Sequence, residues 1–503
     1  MIRRIATPVV VVLAIGALTT CERDLALLLP GRLMQSPDGD VSLVARIAHF
    51  SDLQIIDEES PARFAGGEVV TRSAWRPYEA HSAQLADGII RAVNRIHAAG
   101  RPIDFVMQTG DACDNAQWNE LEWLLGVFDG SVIDPLSGPD ERPIGARPAA
   151  ALDPHAPFTA QGLYRNGVHG EESSIPWYGV FGNHDCRSIG VFPFFDFPLA
   201  GRVAPLPLQP RPGFVLPVVL NPVGTLAYGN VTPAEPGPPS LFETPRFLAA
   251  VPTRGFYTKR DYIAAMFRTV TGPPGHGFKD PDTGPSFYSV SPLPGLRLIG
   301  LDSCDPVHLL PTYIYVGGAI APEQLDFLRR ELDSARDRGE LVIIATHHPS
   351  ASLSELMGSA VPGSGLRALL NEYTNVVLHL AGHTHRNRVS DRGGYLEIET
   401  CSTLDLPQEG RLIEIYRENA TGEVVIAYEM FSHLDDDLPP LGDDPLRGLR
   451  SSARAIALAD KGGAARQKLY DPTGAEPGGR PGDRAATIRL SRSSIRDSRD
   501  GIE

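Results

Sequence analysis

What the chain lacks narrows the class of protein it can be. Only five of its 503 residues are cysteines and no two of them form a C-x-x-C pair, so nothing indicates a structural zinc of that kind or a thioredoxin-like centre. An excess of positive charge is missing as well, since 46 basic residues stand against 61 acidic ones. Proteins that follow nucleic-acid backbones need clustered Lys and Arg, so we expect no nucleic-acid scaffold as a partner.

Long apolar runs are absent outside the N-terminus. There, Arg3 and Arg4 precede an uncharged apolar run from Val9 to Leu18, which is too short to span a bilayer and suits an export signal. The following Leu18-Thr19-Thr20-Cys21 resembles a bacterial lipobox, although Thr20 replaces the usual small residue. An ordinary cleaved signal and an uncleaved anchor are the alternatives. We predict that residues 1–21 direct export to the periplasm, the cell surface or the medium, with membrane tethering through the N-terminus if Cys21 is lipidated.

The rest of the chain divides into a linker, one large domain and a tail. After a linker at 22–40, strands and amphipathic helices alternate through residues 41–440, which predicts a layered α/β domain. Pro- and Gly-rich stretches at about 130–175 and 187–290 are predicted to be insertions, and the second is placed to form a wall or lid. Residues 441–503 are polar, which predicts a partly disordered, non-catalytic tail with one possible helix near 447–470.

Five short motifs each follow a short apolar run, which places each motif on the loop at the carboxyl end of a strand. In chain order they are Asp52-Leu53-Gln54, Gly110-Asp111-Ala112-Cys113-Asp114, Gly182-Asn183-His184-Asp185, His347-His348-Pro349 and Gly382-His383-Thr384-His385. The first motif alone would be an ordinary turn, because Asp is common in turns. Together the five offer carboxylates, an amide and imidazoles, which are ligands of divalent transition metals. The pattern therefore predicts a dinuclear metal hydrolase.

From residue 44 to about 430, these motifs resemble the calcineurin-like metallophosphoesterase family. That family includes purple acid phosphatases, cyclic-nucleotide phosphodiesterases and nucleotide diphosphatases, and its pattern is D-x-H, G-D-x-x-D, G-N-H-D or G-N-H-E, H-x-P and G-H-x-H. The last four motifs of the chain match, whereas Gln54 stands where the family has histidine. The resemblance implies a four-layer α-β-β-α sandwich with two mixed β-sheets, and two divalent metal ions as cofactors.

The same resemblance implies a role for each matching residue. Asp111 would bridge the two metals, because each oxygen of its carboxylate can bind one cation. The other ligands would be Asp52, Gln54 and His385 at the first metal and Asn183, His347 and His383 at the second. A hydroxide that bridges the metals would attack phosphorus in line, and His184, oriented by Asp185, would assist the leaving oxygen. His348 would pack behind the ligands, and Asp114 would support them.

Gln54 bears on the identity of the metals and of the substrate. An amide oxygen is a harder ligand than an imidazole nitrogen, so Gln54 favours manganese, with iron, zinc and magnesium as the other candidates. Glutamine at this point is also similar to the manganese-dependent ADP-ribose and CDP-alcohol diphosphatases. We expect the substrate to be a small-molecule phosphodiester, pyrophosphate or phosphomonoester. A catalytically silent metal- or ligand-binding surface protein is the first alternative, and a metal-dependent hydrolase of an amide or lactone is the second.

Some residues near the motifs carry expectations of their own. Cys113 and Cys186 would lie close enough for a disulfide, but buried free thiols are the preferred interpretation. Histidines outside the motifs are predicted to be structural: His49, His81, His97, His276 and His379. Among them His276 lies in a Gly-rich loop of the second insertion, from which it would reach substrate in the alternative interpretation. The aromatic residues of that insertion are predicted to pack against each other rather than to stack on a base.

Overall fold

A computed structural model of the chain describes residues 37, 39–58, 76–137, 153–163, 174–187, 190, 226–227, 246–247, 252–304, 317–355, 359–435, 438–460 and 477–490. The export signal predicted at residues 1–21 and much of the second insertion lie outside these ranges. Within them, no helix combines the length and the apolar character that a membrane crossing requires.

The first of two large sheets carries three of the five motifs at its strand ends. In order across the sheet, its six strands are β16 (Ala485–Leu490), β15 (Val424–Ser432), β14 (Glu409–Glu418), β1 (Val41–Phe50), β2 (Phe105–Gln108) and β5 (Trp177–Gly179). β1, β2 and β5 run parallel, whereas β14, β15 and β16 pair antiparallel. Because carboxyl ends of parallel strands share one edge of the sheet, the loops after β1, β2 and β5 meet there.

The second sheet carries the two histidine motifs. Its order is β12 (Arg388–Asp391), β13 (Leu396–Glu399), β11 (Val376–Ala381), β10 (Leu341–Ala345), β9 (Leu296–Gly300) and β8 (Tyr288–Leu293). The four central strands are parallel and the two edge strands are antiparallel. Two small ladders complete the described strands: β3 (Val132–Ile133) with β4 (Phe158–Thr159), and β6 (Leu226–Ala227) with β7 (Arg246–Phe247).

Helices cover the outer face of each sheet. In the described part of the chain they are α1 (Ser82–Ala98), α2 (Trp118–Asp129), α3 (Lys259–Met266), α4 (Pro322–Asp337), α5 (Gly363–Asn371), α6 (Arg447–Ala459) and α7 (Pro481–Arg484). Local sequence sets their ends: α2 begins with a reciprocal Gln117–Glu120 capping box and ends at Gly130 in the left-handed conformation. α4 begins with Pro322, whose missing N–H is not needed in the first turn.

The largest apolar cluster lies between the two sheets. Ile47 of β1 and Ile413 of β14 pack with Leu298 of β9, Ile343 of β10 and Leu378 of β11, and all five side chains are fully buried. A second cluster joins the opposite face of the second sheet to α4 and α5. The layers are therefore helix, sheet, sheet and helix, which confirms the predicted four-layer sandwich with two mixed sheets.

The segment predicted to be a polar tail takes part in this fold. α6 packs on α1 and buries Leu449, Ala453 and Ala457, and β16 extends the first sheet along β15. Tyr428 also donates a hydrogen bond to the carbonyl of Gly482 over 2.6 Å. The helix predicted near 447–470 corresponds to α6 (Arg447–Ala459), whose narrow apolar stripe is enough to dock it on an existing core.

Candidate metal centre

All five motif loops come together at the edge where the two sheets meet. The Asp52 amide donates to the carbonyl of Gly110 over 3.0 Å, and the Gln54 amide donates to the carbonyl of Asp111 over 2.9 Å. Between the sheets, the His383 amide donates to Oδ2 of Asp52 over 3.0 Å. The site is therefore built from both sheets, and main-chain hydrogen bonds fix the loops to one another.

The glycine that opens three of the motifs is required by close packing. A Cβ added at Gly182 would lie 2.0 Å from Oδ1 of Asp111, and one at Gly382 would lie 1.8 Å from Oγ of Ser51. Gly110 has a φ of +87°, and a Cβ there would lie 2.6 Å from the amide nitrogen of Gly182. Any side chain at these positions would push the loops apart.

Five predicted ligands adopt a backbone conformation that L-residues rarely use. Their φ angles are 52° at Asp52, 43° at Gln54, 52° at Asp111, 68° at His383 and 54° at His385. A non-glycine residue in this region costs on the order of 1–3 kcal/mol and persists only where its surroundings impose it. The clustering of five such residues in one place indicates that the loops are held in a strained arrangement for a function.

One group of potential ligands is formed by Asp52, Asp111 and His385, whose ligand atoms lie within 4.8 Å of one another. His385 Nε2 is 3.1 Å from Oδ1 of Asp52, and its Nδ1 is 2.7 Å from Oδ2 of Asp405. Oδ1 of Asp52 has no hydrogen-bond donor among the described residues. This group corresponds to the predicted first metal site.

A second group is formed by His347, His348 and His383, again within 4.8 Å. His347 Nε2 is 3.1 Å from Oδ1 of Asn183 and 3.1 Å from Oδ2 of Asp111. The side-chain nitrogen Nδ2 of Asn183 donates to the carbonyl of Gly190 over 3.0 Å, and this hydrogen bond turns Oδ1 of Asn183 toward His347. Asn183 and Asp111 thus join this group, which corresponds to the predicted second metal site.

Hydrogen bonds on the far side of two imidazoles fix which nitrogen faces the site. His347 Nδ1 is 2.7 Å from the carbonyl of Thr109, and His385 Nδ1 is 2.7 Å from the Asp405 carboxylate. Both partners can only accept, so each Nδ1 carries a proton and each Nε2 presents a lone pair in the neutral ring. That lone pair then faces the carboxylate oxygen of Asp111 or Asp52. The imidazole nitrogen and the carboxylate oxygen are both hydrogen-bond acceptors, so they repel each other unless a cation lies between them.

The pKa shifts of the site's imidazoles point to the same demand for positive charge. Burial lowers the pKa of His347 and of His385, but Asp111 acting on the first and Asp52 acting on the second raise it to about 9 in each case. The pKa of His383 falls to about 3 through burial and the nearby charge of His347. Each of these imidazole–carboxylate pairs therefore attracts positive charge to the point where the two groups face each other. The donor set fits two divalent metal ions that share Asp111.

His184 is oriented by a different carboxylate from the one predicted. Its Nδ1 is 3.0 Å from both the carbonyl and Oδ1 of Asp114, and its Nε2 is 4.0 Å from Oδ2 of Asp111. Asp185 accepts hydrogen bonds from the amides of Ala112, Cys113 and Gly182 instead. Asp185 therefore holds two motif loops together, because the turn after Asn183 points its side chain away from the neighbouring imidazole.

Gln54 is present at the site, and its amide oxygen has a partner that the sequence did not indicate. Nη2 of Arg76 donates to Oε1 of Gln54 over 2.8 Å, while Nε2 of Gln54 has no hydrogen-bond partner among the described residues. Arg76 also donates to both oxygens of Asp405, over 2.8 and 2.9 Å. Arg76 and Asp405 belong to no motif, so sequence reasoning missed both.

Three further predictions concern residues around the metal ligands. His276 is fully buried, stacks on Trp177 with ring centroids 3.5 Å apart and contacts Thr269 Oγ1 at 2.7 Å, so it does not reach toward the metal ligands. His348, predicted to pack behind the ligands, contacts Oγ of Ser303 at 2.9 Å through Nδ1 and lies with the second group. The four described cysteines are free, so the Cys113–Cys186 bridge is not formed.

The family of the domain follows from comparison with known proteins. Residues 45–230 match the family model of the calcineurin-like phosphoesterases, which confirms the resemblance seen in the motifs. That range contains Asp52, Asp111 and Asn183, and the histidine motifs of the second sheet follow it. The chain accordingly contains a calcineurin-like phosphoesterase domain, and it is a metal-dependent phosphoric ester hydrolase.

Solved structures show more distant similarities. A dimetal phosphatase from Danio rerio aligns with a TM-score of 0.39 and 14% identity, over 78% of this chain and 98% of that one. A putative 5′-nucleotidase from Staphylococcus aureus aligns with a TM-score of 0.33 and 11% identity, over 82% of this chain and 58% of that one. These values are too low to support an argument about activity. No curated protein matches the chain in sequence.

Proposed function

We propose that the chain is a dinuclear metal-dependent phosphoesterase that hydrolyses a small-molecule phosphodiester, pyrophosphate or phosphomonoester. The proposal rests on two pairs of acceptors that face each other at 3.1 Å, His385 Nε2 with Asp52 Oδ1 and His347 Nε2 with Asp111 Oδ2. Two divalent cations bound there would acidify a water molecule and neutralise the phosphoryl oxygens during its attack on phosphorus.

The ligands would divide between two cations, and each cation would take ligands from both sheets. Asp52 and His385, with Gln54 beside them, would hold the first cation. Asn183, His347 and His383 would hold the second, and Asp111 would contact both. His348 shares the second group and would limit the space around its cation. Oxygen-rich ligands at the first position suit manganese or magnesium, whereas the imidazoles at the second also suit zinc and iron. We expect manganese to restore activity best.

His184 would act on the leaving group. The carbonyl and carboxylate of Asp114 fix its Nδ1 at 3.0 Å, which keeps Nε2 on the side of Asp111. Burial lowers the pKa of His184, but the charges of Asp111 and Asp114 raise it overall, which favours the imidazolium. In that form Nε2 can donate a hydrogen bond or a proton to the oxygen that leaves phosphorus. Asp185 would contribute indirectly, by holding the loops that carry Asp111 and Asn183 in register.

Single-metal reconstitution tests the proposed reaction. Metal-stripped protein would be assayed on bis-p-nitrophenyl phosphate and p-nitrophenyl phosphate, with manganese, magnesium, zinc or iron added singly. Manganese-restored diester cleavage is the expected result, and a preference for the monoester would direct the search toward phosphatases. Release of p-nitrophenol from an acetate ester, or of p-nitroaniline from an anilide, without phosphate ester turnover would contradict the proposal.

A catalytically silent metal- or ligand-binding surface protein remains the competing function. The two are separated by measuring bound metal and turnover on the same sample. Two ions per chain without hydrolysis of either phosphate ester would favour the silent protein. The complete set of potential ligands, together with His184, favours an enzyme.

We also propose that the protein is exported, from the charged and then apolar N-terminal pattern. The test is fractionation of cells that express the full chain, with Cys21→Ala beside it. Export of both forms, with only the original chain held in the membrane fraction, is expected if Cys21 is lipidated. A full-length product that stays in the cytoplasm would contradict export.

A further inference from the structure

Arg76 occupies an unusual position immediately behind the first metal site. Its side chain has no exposed surface, and its guanidinium contacts the amide oxygen of Gln54, the carboxylate of Asp405 and, at 3.8 Å, the carboxylate of Asp114. A buried guanidinium is costly unless its partners are arranged around it. Here each partner leads to a residue of the site, so the arginine is placed for more than packing.

Two of the residues that Arg76 contacts, Asp405 and Asp114, are themselves in contact with a histidine of the site. Asp405 accepts from Arg76 and lies 2.7 Å from Nδ1 of His385, while Asp114 lies 3.0 Å from Nδ1 of His184. Tyr78 also donates to Asp405 over 2.9 Å. Arg76 therefore orients His385 through Asp405, and it contacts Gln54 directly. Both non-aspartate residues assigned to the first cation depend on this one guanidinium.

The contact with Gln54 has a chemical consequence. An amide oxygen has two lone pairs, so it can accept from Arg76 with one and bind a cation with the other. A neutral imidazole has one acceptor nitrogen and one N–H donor. A histidine at position 54 that used its acceptor for the metal would direct its N–H toward the donor-only guanidinium. Glutamine is compatible with Arg76 at this position, and histidine is not.

We propose that Arg76 is a positioning residue that sets the metal preference of the first site by selecting glutamine at position 54, an inference that rests on the proposed function. Gln54 and Arg76 act as a matched pair, and replacement of one changes what the other does. The histidine of the family pattern is expected to favour zinc at this position only when Arg76 is also absent. Sequence alone would predict a gain of zinc binding from Gln54→His in any background.

The test is a double-mutant cycle read on metal binding. Wild type, R76M, Q54H and the double variant would be stripped, and manganese and zinc affinities at each site measured by calorimetry, with metal content as a check. Methionine approximates the length of arginine without its donors. R76K separates charge from geometry, because one ammonium cannot contact both Gln54 and Asp405 as the planar guanidinium does. The second site serves as an internal control in every variant.

A matched control shows whether loss of any buried arginine has the same effect. Arg450 on α6 is also fully buried and contacts Asp444, but none of its described hydrogen bonds or ion pairs involves a motif residue. R450M is expected to lower the midpoint of thermal unfolding while keeping two manganese ions per chain. Circular dichroism on all variants confirms that the compared proteins are folded.

We expect R76M to weaken manganese at the first site by roughly 10–100-fold, the range for residues that orient metal ligands, with R76K between it and the wild type. Q54H should leave the zinc-to-manganese preference of that site unchanged when Arg76 is present and raise it at least about tenfold when Arg76 is absent. The inference would be overturned if Q54H raised the zinc-to-manganese preference equally with and without Arg76. It would also be overturned if R76M bound manganese and zinc with the affinities of the wild type. If R76M does not fold, R76K and Q54H in the wild-type background still decide between these outcomes.

The outcomes for the proposed function are separate. A wild-type chain that binds two ions but hydrolyses no phosphate ester removes the proposed function and leaves the coupling between Arg76 and Gln54 measurable. A wild-type chain that binds no ion overturns both.

Discussion

The two halves of the metal centre are supported in different ways. Behind the first group, His385 contacts the carboxylate of Asp405, which forms an ion pair with Arg76. Behind the second group, His347 contacts a backbone carbonyl and His348 contacts the hydroxyl of Ser303. One half is thus backed by buried charges and the other by neutral groups. Charged support is stronger but more sensitive, because loss of one partner leaves the other charge buried and unpaired.

The pKa of Asp405 reflects this charged support. Burial alone would raise its pKa, but Arg76 and His385 lower it well below the usual range. Asp405 is therefore an anion that accepts from His385 at neutral pH. The carbonyl of Thr109 and the hydroxyl of Ser303 carry no charge, so the loss of either would leave no counter-charge unpaired behind the second half.

The largest expected effect comes from the residue that both halves share. Asp111→Asn removes one anionic oxygen from each group, because Asp111 lies with Asp52 and His385 and also 3.1 Å from His347 Nε2. We expect loss of both ions and a decrease in kcat/KM of more than about 100-fold, beyond the usual range for residues behind the ligands. Metal content after dialysis and phosphate ester turnover measure this.

Asp129→Asn is a suitable control for Asp111→Asn. Asp129 accepts hydrogen bonds from Val270 and Thr271, away from the metal ligands. That variant should keep both ions and lose stability only. If Asp111→Asn retained two ions and wild-type turnover, the assignment of the whole centre would be wrong.

Removal of the charge behind the first half should have the next largest effect. Asp405→Asn can still accept from His385, but it leaves the fully buried Arg76 without its main counter-charge. Breaking a buried ion pair in this way costs about 3–5 kcal/mol, so we expect a clear fall in the free energy of unfolding. Manganese at the first site should weaken roughly 10–100-fold while the second site changes little. Equal weakening at both sites would contradict a division into halves.

Metal uptake should depend on pH in both halves. With the pKa of His347 and His385 raised to about 9, each incoming cation must displace a proton at neutral pH. Apparent affinity is therefore expected to rise from pH 6 to about 9 and then level off, which calorimetry in buffers of different ionisation enthalpy can follow. The same raised pKa values stabilise the metal-free fold below the unfolded pKa, and this contribution is lost as pH rises through about 9. A metal affinity that stays constant over that pH range would contradict the raised pKa values of His347 and His385.

The smallest effect is expected behind the second half. Ser303→Ala removes the hydroxyl that contacts His348 Nδ1 and that accepts from the His348 backbone amide over 3.1 Å, but it leaves no charge unpaired. Each neutral hydrogen bond contributes about 1 kcal/mol, and only the contact with Nδ1 involves the imidazole, so zinc affinity at the second site should fall by less than about tenfold. A loss as large as that from Asp405→Asn would remove the distinction between charged and neutral support.

Sequence reasoning recovered the parts of this structure that are local. Each motif follows an apolar run, and a buried strand that ends in polar residues is recognisable within about ten positions. Arg76 and Asp405 could not be found in this way, because each lies apart from the motifs and reaches the site only through the fold. The contact of His184 with Asp114, where the sequence predicted Asp185, has a similar cause. Adjacency in sequence does not decide where a side chain on a tight turn points.

The pairing of β1 has a consequence for when the metal can arrive. Ile47 of β1 pairs with Phe105 of β2 on one side and with Ile413 of β14 on the other, so the strand that delivers Asp52 lies in the middle of its sheet. During synthesis from the N-terminus, β1 has no second neighbour until residue 418 has been made, and such distant pairings form slowly. We therefore expect metal loading only after residue 418 has been made. For a chain exported before it folds, the ion supply of the receiving compartment, and not that of the cytoplasm, would then determine which metals the enzyme carries.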